Sequence, residues 1–231
     1  MDYSINLDEV DVDGAIREAA HEVSGDTRLG FLKKAGIGGA AVMSGGAVLG
    51  ALAPGAFAAG SGRPSASFGK GDVGILNYAL TLEYLEAAFY NGATAANLSL
   101  DSQAAAFLEI VTRDENAHVA FLKSALGSKA VKEPTFDFKG TNTNAEMFMK
   151  TAQTLENTGV HAYSGQALNL RNPKYVKAAL SIVTIEARHA SVIGLLNEPA
   201  GEDIAPNGPF DTPLPASAVL SAVMSTGFIV G

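Results

Sequence analysis

From Asp72 onward, apolar residues recur at three- and four-residue spacing, the mark of helices that bury one stripe. Four long helices are predicted, over about 72–92, 102–127, 145–169 and 173–197. The first puts Ile75, Leu76, Ala79, Leu82, Phe89 and Tyr90 on or near one face. Gly127 is placed to cap the second, Pro173 suits the first turn of the fourth, and Pro199 follows its end. Between the second and third helices, "SKAVKEPTFDFKGTNTN" holds Pro134 and Gly140 and shows no helical stripe. A connection of that length, extended, reaches about 50 Å, enough to run the length of a helix bundle. No strand-type alternation of any length occurs, so the expected class is all-α, with two helix pairs joined by a long crossover.

The flanks have a different texture. Residues 1–26 are acidic and carry few large apolar side chains, which predicts a weakly ordered leader with at most a short helix near 12–23. In 27–60, Arg28, Lys33 and Lys34 precede an uncharged Ala/Gly-rich run that reaches Ala56-Phe57-Ala58 before a Gly/Ser linker. That order of positive end, apolar middle and small-residue site is the layout of an export signal. "TRLGFLKKAG" resembles a twin-arginine translocation signal at Thr27, Arg28, Phe31, Leu32 and Lys33, and departs from it at Leu29, where the second arginine belongs. Export to a periplasmic or extracellular space is the expectation, with a cytoplasmic location as the alternative. The many glycines weigh against a stable membrane-spanning helix, so none is expected in the mature form. The bundle is assigned to 61–198. The Pro-rich, then apolar, 199–231 is expected to pack back on it, with a short helix at about 216–225.

Charge and composition narrow the chemistry. A net charge of −8 and a pI near 5.0 offer no basic footprint for nucleic acid. The absence of cysteine excludes disulfides, iron–sulfur clusters, thiolate zinc sites and cysteine nucleophiles, so any metal is held by oxygen and imidazole.

Against that background one constellation occurs twice. "TLEYLEAAFY" sets Glu83 seven residues before Tyr90, and "TLENTGVHAY" sets Glu156 seven before Tyr163. A helix turns about 100° per residue, so seven residues return to within about 20° of the same face. The second and fourth helices add Glu115-x-x-His118 and Glu186-x-x-His189, pairs that point the same way and can grip one ion. The offsets agree: 156 − 83 = 73, 186 − 115 = 71 and 189 − 118 = 71. A lone Glu-x-x-His is more often a surface ion pair across one turn. With 13 glutamates in 231 residues, however, both histidines acquire one at i−3 by chance only about 0.3% of the time. Glu83 stands beside Leu82, Leu85 and Phe89, and Glu186 follows Ile182, Val183 and Ile185. A carboxylate in such a stripe costs several kcal/mol unless it is paired or holds a metal. Four carboxylates and two imidazoles, with only Arg113 and Arg188 nearby in sequence, leave a negative excess for divalent cations to neutralise.

The chain resembles the ferritin-like di-iron or di-manganese carboxylate proteins, and within them the ferritin-like domain proteins that include bacterial exported and plant desiccation-related members. "ILNYALTLEYLEAAFYNGA", "DENAHVAFLKSALG" and "TLENTGVHAYSGQA" carry the likeness, over about 71–198. It implies a ferritin-like four-helix bundle and two metal ions, iron first and manganese second. Glu83 and Glu156 would be single-helix ligands, Glu115 and Glu186 bridging or chelating carboxylates, and His118 and His189 terminal imidazoles. Tyr90 and Tyr163 would stand close to the metals, in a redox role rather than as ordinary core aromatics. The partners implied are metal ions and O2 or peroxide, in a ferroxidase-, peroxidase- or catalase-type reaction serving stress protection. Two alternatives stand beside it: a non-catalytic metal-binding structural or desiccation-related protein, and a metal-free bundle with buried ion pairs. Homo-oligomerisation stays open.

Four residues near the motif are read more plainly. Glu86, three residues after Glu83, has a seventh-ligand role as its alternative, but its repeat mate is Gly159, so it is expected to be solvated or to stand behind the ligands. His161, whose repeat mate is Ala88, is expected to be a satisfied, partly buried histidine, and His21 an exposed one. Asp114 points about 100° away from Glu115, to the surface or to the back of a ligand histidine.

Overall fold

Three of the described α-helices start where a short polar side chain takes up free backbone N–H groups of the first turn. The computed structural model describes residues 62–198, 201 and 204–231, so the leader, the export-like segment and the helix expected near 12–23 lie outside the described residues. Within them are five α-helices: α1 (Gly71–Ala96), α2 (Ser102–Leu126), α3 (Ala145–Gln166), α4 (Pro173–Asn197) and α5 (Ala216–Thr226). Asp101 accepts from the N–H groups of Gln103 and Ala104 at 2.9 and 2.8 Å, Asn144 from Met147 at 2.9 Å and Asn172 from Lys174 at 3.0 Å. α1 has no such cap. Its first-turn Asp72 instead accepts from Arg171 and Asn172 N–H at 3.0 and 2.8 Å, which ties the start of α1 to the turn between α3 and α4. Gly127 closes α2 at φ 55°, as its position in the sequence suggests.

The helix ends differ from the sequence reading in two places. α1 does not stop at Gly92 but runs one more turn, to a left-handed Asn97 at φ 52°. Gly92 is a place of close approach: a Cβ there would lie 2.2 Å from Asn142 Nδ2 of the crossover. Its repeat mate Gly165 does the same on α3, where a Cβ would stand 1.8 Å from Leu214 O of the C-terminal segment. Each half of the bundle thus has a bare spot over which a connecting segment passes. The third helix ends its α-helical part at Gln166 and tightens into a 3-10 turn over Ala167–Asn169.

α1 packs chiefly on α2 and α3 on α4, and the two hairpins meet through α2 with α4 and α1 with α3. Buried Asn77 pins the crossover at its start: its amide donates to Phe68 O and Lys129 O, and its oxygen accepts from Val131 N–H, at 2.9, 3.0 and 3.0 Å. The crossover's far side pairs with the chain beyond α5 through an isolated antiparallel bridge between Phe136 and Ile229. Among the described residues there is no strand. α5 lies on α3 and buries Val219 and Val223.

The apolar side chains fall into two clusters, which on α2 and α4 leave a layer between them. One gathers Phe89, Tyr90, Phe107, Phe148 and Ile193 with Val219, Val223 and Phe228, and the other Ile75, Leu80, Tyr84, Leu122, Leu126 and Ile182. On α2 the first cluster ends at Val111 and the second resumes at Leu122. On α4 they stand at Ile193 and Ile182. The polar layer between is where the repeated Glu and His residues fall. α4 is long and apolar enough to cross a membrane by length and composition, yet it carries Glu186 and His189 into this layer.

Candidate metal centre

Four helices bring six ligand-type side chains into that layer. Glu83 comes from α1, Glu115 and His118 from α2, Glu156 from α3, and Glu186 and His189 from α4. The four glutamates are 0% exposed. Their atoms fall into two groups within 4.8 Å: Glu83, Glu115, His118 and Glu186 in one, and Glu115, Glu156 and His189 in the other. Glu115 belongs to both. His118 Nδ1 lies 3.3 Å from Glu83 Oε2, 3.1 Å from Glu115 Oε2 and 3.2 Å from Glu186 Oε1. His189 Nδ1 lies 3.1 Å from Glu115 Oε1 and 3.2 Å from Glu156 Oε2. All six residues singled out by their spacing are therefore brought together.

The way these atoms meet fits metal ions. Glu83 Oε2, Glu115 Oε1, Glu156 Oε2, both oxygens of Glu186 and His189 Nδ1 are buried without a hydrogen-bond partner. They approach one another closely, and of these contacts only that between His118 and Glu115 is aligned as a hydrogen bond. Lone pairs converge on common points, as they would around an ion, while buried polar atoms elsewhere in proteins are almost always bonded. Carboxylate and imidazole together, without sulfur, suit iron, manganese or zinc. The centre is compatible with two ions.

Electrostatics follow from the burial. Desolvation pushes Glu186 and Glu86 well above the usual carboxylate range, helped by the neighbouring carboxylates, and pushes Glu115 up to about 7 against the pull of both histidines. Glu83 goes the other way: burial opposes its charge, but His118 outweighs it and the carboxyl is held below its ordinary value. Burial pulls His118 and His189 down, and the carboxylates facing them prevail. His118 is raised strongly, and His189 is raised to about 11. Without metal the two imidazoliums are thus the counter-ions of the carboxylates.

The tyrosines bind across the halves. Tyr90 donates to Glu156 Oε1, and Tyr163 donates to Glu83 Oε1. Each phenol is buried and pushed well above its ordinary pKa by desolvation and by the carboxylate it faces. The heptad places a tyrosine beside the centre, but its partner is the glutamate of the opposite helix pair.

Glu86 corrects the sequence reading. It is 3% exposed, so the solvated alternative does not hold, and Glu186, Glu115, Glu156 and Glu83 all act on its carboxyl. Gly159 explains how it fits: a Cβ there would lie 2.6 Å from Glu186 Oε2 and 3.4 Å from Glu86 Oε1. The signal was present in the sequence as the mismatch between Glu86 and its repeat mate. His161 stays outside the centre, half-buried, with Nδ1 2.7 Å from Thr212 O. Asp114 Oδ2 lies 3.3 Å from His189 Nε2, the second of the two placements its direction allowed. A groove of about 500 Å³ between α2 and α4, lined by Ala117, Phe121, Tyr175, Lys177 and Ile182, reaches His118.

A family model described as a ferritin-like domain matches residues 71–198, which spans all four bundle helices and every residue of the centre. No curated protein matches the chain.

Proposed function

The chain belongs to the ferritin-like domain family, and on that premise we propose that it binds two metal ions, iron or manganese, and uses them for oxidoreductase chemistry on Fe(II), O2 or peroxide in stress protection. The observation that carries this reading is the convergence of four fully buried glutamates and two histidines whose ligand-type atoms lie within 4.8 Å of one another in two groups that share Glu115. Held by Glu83, Glu115, His118, Glu156, Glu186 and His189, a pair of redox-active ions would supply two electrons to an oxidant. The chain's own residues hold the charges that make this workable. Glu115 stands between the two histidines and Glu186 beside His118, the tyrosines fix Glu83 and Glu156 from behind, and two apolar clusters keep bulk water from the layer. The groove at His118 is wide enough for O2 or peroxide to approach.

A second reading has its own support. The partnerless oxygens of Glu83, Glu115, Glu156 and Glu186 would be relieved by any divalent cation, so the ions could serve the bundle's stability without turnover. Metal analysis of the purified chain comes first, followed by Fe(II) oxidation, peroxide consumption and thermal unfolding on wild type, His118→Ala and Glu186→Ala, loaded and stripped. Activity lost with the fold retained supports the oxidoreductase. A loaded wild type that never turns over, and whose unfolding temperature falls on stripping by as much as the substitutions lower it, supports the structural reading.

A further inference from the structure

The two halves repeat the six ligands but not what stands behind them. His189 presents Nδ1 to Glu115 and Glu156, and its other ring nitrogen, Nε2, lies 3.3 Å from Asp114 Oδ2. Asp114 is itself held by Arg113, 2.8 Å away. It immediately precedes Glu115 on α2, and the residue that precedes Glu186 on α4 is Ile185, since 185 − 114 = 71 is the same offset that relates the two Glu-x-x-His pairs. An isoleucine side chain accepts no hydrogen bond. His118 therefore meets Glu83, Glu115 and Glu186 through Nδ1, while the rest of its ring lines the groove between α2 and α4.

The difference acts on ligand strength. A carboxylate behind a ligating imidazole sets its tautomer and orientation and makes it a stronger donor, and losing that support typically costs about 10–100-fold in metal affinity. The ligands themselves do not offset it. Glu115 belongs to both groups, and Glu186 is grouped with His118 through Oε1 while its Oε2 lies against Gly159 of α3, one turn from Glu156; neither oxygen has a hydrogen-bond partner, so both carboxylates are placed to serve two ions. Each position then has one further glutamate and one histidine. Glu86 does not tip the balance, because Glu83 of one group and Glu156 of the other are both among the charges acting on it.

Resting on the two-ion reading above, we propose that the positions are unequal by construction: the one served by His189, with Asp114 behind it, fills first and holds its ion, and the one served by His118, beside the groove, is the exchangeable position. Asp114 is a positioning residue. It touches no ion and acts through the imidazole of His189.

The test uses Mn(II) as the probe, added to the metal-free full chain and followed by calorimetry and by electron paramagnetic resonance. Wild type is expected to bind in two steps, the first about 10-fold tighter or more, with the spectrum of isolated Mn(II) at one equivalent and of a spin-coupled pair at two. Asp114→Asn is expected to loosen the first step by about 10–100-fold and bring the two steps together. Ile185→Asp, which restores the repeat, should tighten the second step instead. Asp114 is 22% exposed on a polar edge, so its asparagine variant keeps the fold and decides the matter should Ile185→Asp fold poorly. Two steps of equal affinity, a coupled pair already at one equivalent, or an Asp114→Asn chain that fills like wild type would overturn the inequality and leave the two-ion reading standing. A wild type that takes up no Mn(II), or one ion only, would overturn both.

Discussion

Tyr90 on α1 donates its hydroxyl to Glu156 on α3, across the bundle, and not to Glu83, with which it shares a helix face. Tyr163 returns the bond from α3 to Glu83. The two helices that supply one glutamate each are thereby cross-braced through the glutamates of the candidate centre.

Tyr90→Phe leaves a buried carboxylate oxygen without its donor, as does Tyr163→Phe. Hydrogen bonds to charged groups are worth about 1.5–3 kcal/mol, and each single variant of the metal-free chain should lose about that much in urea unfolding. The two losses should match to within a few tenths of a kcal/mol because the braces are repeat mates. A Tyr90→Phe chain as stable as wild type would show that the phenol is not bonded to Glu156 in solution.

Gly159→Ala should act on the centre rather than on the helix. Alanine is the better helix former by about 1 kcal/mol. Its Cβ, however, would meet Glu186 Oε2 at 2.6 Å and force that carboxylate away. Mn(II) affinity should fall at least about 10-fold while helix content by circular dichroism is unchanged, a loss of the size seen when a ligand's support is removed. Unaltered affinity would place Glu186 outside the ligand set.

Metal binding should release protons, and affinity should rise with pH. Both imidazoles are held protonated at neutral pH in the empty centre, His189 up to about 11, and an ion needs their free lone pairs. Calorimetry in buffers of different ionisation enthalpy should count protons released at pH 7 from both histidines and from Glu186, whose carboxyl is pushed well above its usual range, with part of another from Glu115, held up at about 7. The empty bundle has the complementary dependence. A histidine raised from 6.5 to about 11 stabilises the fold fully below 6.5, and that contribution is lost as pH climbs toward 11. Chelated protein should therefore melt at progressively lower temperature across this window. A flat profile with no proton release would mean the histidines are neutral before metal arrives.

Asn77→Ala removes three hydrogen bonds that anchor the start of the crossover and leaves their partners at Phe68, Lys129 and Val131 to find others. At about 1 kcal/mol each the expected loss is roughly 3 kcal/mol. Metal affinity should survive, because Asn77 lies more than one helix turn from Glu83. A loss of both together would tie the crossover's docking to the geometry of the centre.

The helices and the six clustered Glu and His residues were legible because they follow from local rules. A 3.6-residue period marks the buried stripe, Gly127, Pro173 and Pro199 mark ends, and residues three apart on a helix must point together. What escaped depends on contacts between distant segments. Gly92 looked like a stop because a glycine near the end of a stripe commonly is one, and only the presence of Asn142 beside it shows why the helix continues. For Glu86 the sequence left solvated and standing behind the ligands both open, and its burial beside Gly159, 73 residues later, is set by packing between α1 and α3. The tyrosines' partners depend on which helices lie opposite, and spacing within one helix carries no such information.

The internal repeat makes the centre a two-fold object written into one strand of peptide. Were the same centre made by two identical helix hairpins, any substitution would strike both metal positions at once, and they could never differ. Joined by the crossover, the halves are free to be edited singly. Asp114 opposite Ile185, and Glu86 opposite Gly159, are two such one-sided edits, each available only to a chain that carries both halves of its own symmetry.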